Sequence, residues 1–314
     1  MSGQKDGGAA GGGAAGGAAD RAGHAQGFLL TLFGVLVLTP DTLLIRLIDT
    51  DPWTMTFWRG VLMPAVLLLV YAAIRRGATL ADIRGLGKAG LAVALIYGVN
   101  ALSFVMAIEH SKVSNVLVIL AAAPLFAGLM SVVFLRETVA GPTWAAIAAG
   151  VAGVAIVVGG GITAGTGMGD LFALVTALSL AGTFTIIRRS KARNMVPATA
   201  LGGLLTALVV WPLADPGSLE GGRLGMMLFL GLVILPIAFG LITLGPRRVP
   251  APEVALLMLL ETVLGPFWVW LVIGEQPGAA TLMGGSVVLS AVGLHALWRL
   301  RRRPAARPQP PPHG

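Results

Sequence analysis

Three charged side chains stand inside stretches that are otherwise apolar: Asp41 in LLTLFGVLVLTPDTLLIR, Arg59 in WTMTFWRGVLMPAVLLLV and Glu261 in VALLMLLETVLGPFWVW. A charge in hydrocarbon costs at least about 2.5 to 3.5 kcal/mol, so each needs an opposite charge, a wet cavity or a route to the surface. The runs holding Asp41 and Arg59 meet at the short turn around Asp49 to Asp51. Counted from the run ends Arg46 and Trp53 beside that turn at 1.5 Å per residue, both charges lie about 8 to 9 Å below the surface. They are level and on consecutive segments, which opens an ion pair to them. Arg59 could instead meet an anionic substrate group, or run its long stem to the interface. Glu261 lies near the middle of the run 251–273, too deep for so short a side chain to reach water. A proton, an amine or another cation must neutralise it there, unless it is a hydrogen-bonded structural group.

The uncharged polar residues add a lining. Tyr97, Asn100, Ser103 and Phe104 recur at three- to four-residue spacing, which puts them on one helix face. Ser114, Asn115, Thr176, Ser179, Thr183 and Thr262 are further candidates, although hydrogen bonding between helices explains each as well as a substrate does. Glu253, beside Pro252, reads as an interfacial helix-start residue, and Glu137 and Glu275 as helix-end or gate-edge residues. Enzyme chemistry finds no support. The chain has no Cys, its four His are scattered without metal-ligand spacing, and the cluster GGGITAGTGMG lacks the GK[ST] of a phosphate loop. No cofactor is implied, and no Ser, His and acid set converges.

The elements that must hold these groups are hydrophobic runs, near residues 27–46, 53–74, 89–108, 113–135, 142–162, 169–187, 197–214, 224–245, 251–273 and 279–298. About 20 apolar residues in a helix cross a hydrocarbon layer of about 30 Å, so the expectation is an all-α membrane protein of ten transmembrane helices. With 314 residues, 56% hydrophobic and 11% charged, little chain is left for a soluble domain. All but four of the 22 Lys and Arg residues fall on one side of the runs, the exceptions being Arg46, Lys112 and Arg223 opposite and Arg59 within. Such asymmetry sets orientation, with both termini cytoplasmic. The net charge of +8 therefore reads as topology, not as a nucleic-acid surface, because no basic stretch interleaved with aromatics is present. Residues 1–26, rich in Gly and Ala, are expected to be a disordered cytoplasmic tail. Residues 299–314 form a basic, Pro-rich tail suited to anionic lipid headgroups.

A weak repeat runs through the chain. Residues 27–46 align with 169–188, matching Gly27 to Gly169 and Arg46 to Arg188, and Glu137 and Glu275 end comparable runs with Thr143 and Thr281 following each at equal distance. Each half has an odd number of spans, so the second, 163–298, must enter the membrane opposite to the first, 27–162. Such inverted five-helix repeats place one site near the midplane, open to either side in turn. Pro40, Pro64, Pro124, Pro236 and Pro266 mark bends, and small residues such as Ala146 with Gly150, Ala149 with Gly153 and Ser286 with Ser290 suit close helix packing or a homodimer contact.

Phe57-Trp58-Arg59, the stretch PLFAGLMSVVFLRE to Glu137, Gly169-Asp170-Leu171 through Arg188-Arg189, and LLETVLGPFWVWLVIGE to Glu275 together resemble the EamA-type branch of the drug/metabolite transporter superfamily over about residues 27–298. The resemblance implies a ten-helix inverted-repeat carrier with a central cavity, both termini inside, in a bacterial inner membrane. Such carriers move amino acids, other metabolites or drugs, frequently outward. Glu261-Thr262 stands where the family often has Glu-Pro, a departure at the local bend. The resulting expectation is a secondary exporter of a small metabolite by alternating access, with Asp41, Arg59, Tyr97, Asn100 and Glu261 binding substrate or a coupling proton or cation. The rival is a membrane scaffold or regulatory subunit that transports nothing.

Overall fold

The computed structural model describes residues 10–111, 113–158, 167–191, 193–274 and 278–301, and is helical without strands among them. Glu275, Lys112, most of the glycine cluster and the Pro-rich end from residue 302 lie outside the described residues, as do the side chains of Ser114 and Asn115. The helices are α1 (Ala10–Leu38), α2 (Asp41–Ile48), α3 (Pro52–Arg75), α4 (Thr79–Gly85), α5 (Gly87–His110), α6 (Val113–Leu120), α7 (Ala123–Leu135), α8 (Gly141–Val158), α9 (Met168–Arg189), α10 (Val196–Val210), α11 (Gly221–Phe229), α12 (Leu235–Leu244), α13 (Ala251–Ile273) and α14 (Ala279–Arg301).

Among the described residues seven helical stretches are long and apolar enough to cross a membrane: Gly23–Ile48, Pro52–Arg75, Gly87–Ala107, Met168–Arg189, Val196–Leu213, Gly221–Arg247 and Ala251–Ile273. At the other three expected runs stand shorter apolar helices, Ala123–Leu135, Gly141–Ile156 and Leu282–Trp298. The fourth run is divided because the chain turns at Ala121 and Ala122 ahead of Pro124, which opens α7. Pro40 breaks the first span between α1 and α2, and Pro236 follows a π-helical turn over Leu230–Ile234 that joins α11 to α12. Pro64, by contrast, lies within a continuous α3. The first helix reaches back to Ala10, into the segment expected to be without order.

Large apolar side chains such as Leu69, Ile74, Val133, Leu208 and Leu294 are more than half exposed, on a surface that only lipid would solvate. Inside, the helices approach through missing side chains. A Cβ on Gly60 of α3 would stand 2.8 Å from the Gly203 carbonyl oxygen of α10, and one on Gly153 of α8 equally close to the Gly284 carbonyl of α14. Gly150 faces Leu259 of α13. The expected Ser286 and Ser290 contact does not form within the protein, because both are exposed on the far face of α14. Gly60→Leu is expected to destabilise the protein by about 1 to 3 kcal/mol, the cost of overpacking. An unchanged melting temperature in detergent would mean that α3 and α10 are not in backbone contact.

Numbered by the expected runs, several contacts between the halves come in matched pairs. The first span packs on the eighth (α1 with α12) and the third on the sixth (α5 with α9). The fourth meets the sixth (α7 with α9) and the first meets the ninth (α1 with α13). The second meets the seventh (α3 with α10), the fifth the tenth (α8 with α14) and the fourth the ninth (α7 with α13). Exchanging the first five runs with the last five returns these pairs and also matches α5 with α10 to α3 with α12, whereas α8 with α13 has no counterpart of similar extent.

Candidate functional site

The site begins at a broken helix. Pro40 has no N–H, so the Leu36 carbonyl loses its usual helical partner. Thr39 Oγ1 donates to that carbonyl at 2.8 Å and itself accepts from Trp268 Nε1 of α13 at 2.9 Å. The helix resumes as α2 at Asp41, which places this carboxylate in a helix first turn, where the free N–H groups favour negative charge. Asp41 is 5% exposed, and Arg59 of α3 meets it with both terminal nitrogens, Nη1 to Oδ1 and Nη2 to Oδ2 at 2.9 Å. Between the sequence alternatives for Arg59, the geometry selects the ion pair. Two parallel charge-assisted bonds occupy the guanidinium fork that a substrate carboxylate would otherwise use.

Glu261 faces the same break from the other half of the chain. On α13 it stands four residues before Gly265 and seven before Trp268, so the three share one face. A Cβ on Gly265 would lie 3.0 Å from Thr42 Oγ1 of α2, and Trp268 reaches Thr39, which fixes that face toward the α1–α2 junction. Glu261 is half-buried and lies within electrostatic range of both Asp41 and Arg59. Among the described residues no group donates a hydrogen bond to its carboxylate, whose neighbours act on it through charge alone. Tyr97 of α5 joins the group, in electrostatic range of Arg59 and Asp41. Its hydroxyl approaches Met63 Sδ at 3.9 Å and its ring packs edge-on against Phe239 at 6.0 Å.

Asn100 does not join. Its Nδ2 donates to the Thr176 carbonyl of α9 at 2.9 Å, a strut between α5 and α9. Phe104 is 38% exposed on the outer surface and Ser103 is buried, so the expected Tyr97 to Phe104 lining divides among three environments. Thr262 is likewise turned inward on its own helix, donating to Leu259 O at 2.7 Å. Asn100→Ala is expected to cost about 0.6 kcal/mol, and at most about 1.7 kcal/mol, with transport retained. Loss of flux in a stably folded Asn100→Ala protein would return Asn100 to the site.

Sequence reasoning missed Thr39, Trp268 and Trp58. The Thr-Pro pair was a legible signal for the first, since a hydroxyl before a helix-breaking proline can take the freed carbonyl. Trp58 Nε1 is buried without a hydrogen-bond partner among the described residues, next in sequence to Arg59. Away from the site, Glu253 opens α13 as expected but is 1% exposed, with His24 Nε2 of α1 at 3.4 Å. Glu137 and Arg188, anchors of the sequence repeat, touch one another: Arg188 Nε donates to the Glu137 carboxylate at 3.0 and 3.2 Å, with Lys191 Nζ at 3.7 Å.

Comparison with known proteins adds two findings. The model of the EamA-like transporter family matches the chain twice, over residues 25–159 and 167–297. A solved structure titled "Crystal structure of protein" superposes with a TM-score of 0.77, covering 88% of this chain and 99% of that one at 18% identity, a likeness of fold. A search of curated proteins gave no match.

Proposed function

The chain belongs to the EamA-like transporter family, and from that premise we propose that it is a secondary transporter exporting a small metabolite by alternating access. One observation carries the reading: Glu261, from the second family repeat, faces the buried Asp41–Arg59 pair of the first. Charge held in a membrane interior at the junction of two repeats is where carriers bind substrate and coupling ions. The Asp41–Arg59 pair is internally neutral and leaves Glu261 as the free recognition group, which favours substrates bearing an amine or other cationic group over those recognised by carboxylate alone. Glu261 takes either that group or a coupling proton, Tyr97 contributes an aromatic wall, and Arg59 holds Asp41 in place.

In this reading ten spans form two inverted repeats, with both termini cytoplasmic in a bacterial inner membrane. The one-sided distribution of Lys and Arg supports the orientation. The two family matches, each over a half in which an odd number of spans is expected, support the inversion. The test is exchange of labelled amine-bearing metabolites across liposomes holding the purified protein, preceded by a melting screen against a metabolite panel. A carrier is stabilised by some member of the panel through mass action. A protein with neither exchange nor any ligand-dependent shift is the scaffold instead.

A further inference from the structure

We propose that the seam between α5 and α10 is a binding site for a phospholipid with an anionic headgroup. The seam is a groove of about 500 Å³. Gly87, Gly90 and Ala94, three and four residues apart, line it from α5 together with Leu91, and the Leu86 side chain packs over Gly90. Its far wall is made by leucines of α10, among them Leu204 and Leu208, which are 37% and 73% exposed. The two helices touch beneath it, since a Cβ on Gly202 would lie 2.6 Å from the Ala94 carbonyl oxygen. From Gly87 to Ala94 the groove follows about 10 Å of α5 at 1.5 Å per residue, about two-thirds of one leaflet of a ~30 Å hydrocarbon layer.

One end of this apolar channel is cationic. Arg84 lines it directly. Arg193 crosses the same end: its Nη1 donates to the Leu86 carbonyl at 2.9 Å and lies 3.2 Å from where a Cβ on Gly87 would stand. Arg193 also borders a second hollow of about 410 Å³, lined with Arg189, Ser190 and Lys191. The nearby carboxylates are engaged elsewhere. Asp82 is held by Arg75 and Tyr71, and its hydrogen bonds with Arg75 keep its carboxyl below the ordinary range. Glu137 is held by Arg188. Among the described residues Arg84, Arg189 and Arg193 have no carboxylate partner. Guanidinium forks match phosphate oxygens, and basic pockets at the membrane end of a helix seam suit anionic headgroups. A soluble phosphate ester would use the arginines and leave the leucine-walled channel empty; a lipid fills both.

The test is native mass spectrometry of the full chain in mild detergent with phosphatidylglycerol, phosphatidylcholine or inorganic phosphate added at equal concentration. Phosphatidylglycerol should be retained over phosphatidylcholine, and each arginine removed, in Arg84→Gln and Arg84→Gln/Arg193→Gln, should lower its occupancy by about five-fold. Arg76→Gln, outside the groove, should change nothing. Leu208→Trp, which obstructs the channel, should also reduce retention. Equal retention of the two lipids by the unaltered protein overturns the proposal whether or not any variant folds. So does undiminished phosphatidylglycerol in Arg84→Gln, or displacement of that lipid by inorganic phosphate.

Discussion

Asp41→Ala is expected to lower stability by about 3 to 5 kcal/mol, the cost of breaking a buried ion pair from one side, and to abolish transport. The change removes two hydrogen bonds to Arg59 and leaves a guanidinium in the protein interior, where its side chain is only 25% exposed. It also empties the first turn of α2, where a carboxylate meets the free backbone N–H groups. The apparent melting temperature in detergent should fall by on the order of 10 °C. The double variant Asp41→Ala/Arg59→Leu removes both charges and should regain most of the stability, because no unpaired charge is left. Its transport should stay absent, since Glu261 then faces no fixed pair. If the double variant is no more stable than Asp41→Ala alone, the two residues are not coupled and the pair is not the core of the site.

Glu261→Gln is expected to leave stability unchanged or slightly raised, because a neutral amide at that depth costs less than a carboxylate. Transport should fall by roughly 10- to 100-fold, the factor that corresponds to losing one charge-assisted hydrogen bond of about 1.5 to 3 kcal/mol. Two measurements on this variant separate the two roles open to the carboxyl. If it carries a coupling proton, the variant still shows a ligand-dependent rise in melting temperature but no longer accumulates substrate against a gradient when pH differs across the liposome. If it grips the substrate amine, the ligand-dependent rise disappears as well. Full flux in Glu261→Gln would mean that this carboxyl serves packing only, and the proposed recognition chemistry would fall with it.

The two variants are informative together because they strike the same site in opposite ways. Asp41 is satisfied, so its loss exposes a hidden charge. Glu261 has no hydrogen-bond partner among the described residues, so its loss removes a demand. A role in packing alone would make both changes destabilising.

The lipid groove was hidden in the sequence for a plain reason. Its walls come from leucines of α10 and from the start of α5, and nothing along either helix says that these two faces meet. Arg84 and Arg193 are far apart in sequence and meet at its mouth because α9 ends beside the start of α5.

Depth along a helix is readable from residue numbers, because rise per residue is fixed and lipid thickness sets the scale. The chain by itself therefore determined the membrane class, the level of Asp41 with Arg59, the mid-span position of Glu261 and the repeat later matched by the family model. Azimuth between helices is different. A period of 3.6 residues says which side chains share a face, never which neighbour that face meets. That is why Tyr97 and Asn100, neighbours on one predicted face, part company, Tyr97 toward the ion pair and Asn100 to the Thr176 carbonyl. It is also why the Thr39–Trp268 link across the broken first span could be found only once α13 lay against α2. Tertiary packing decided those pairings, because contact between distant segments follows from the joint fit of all the helices and not from the pattern along any one of them.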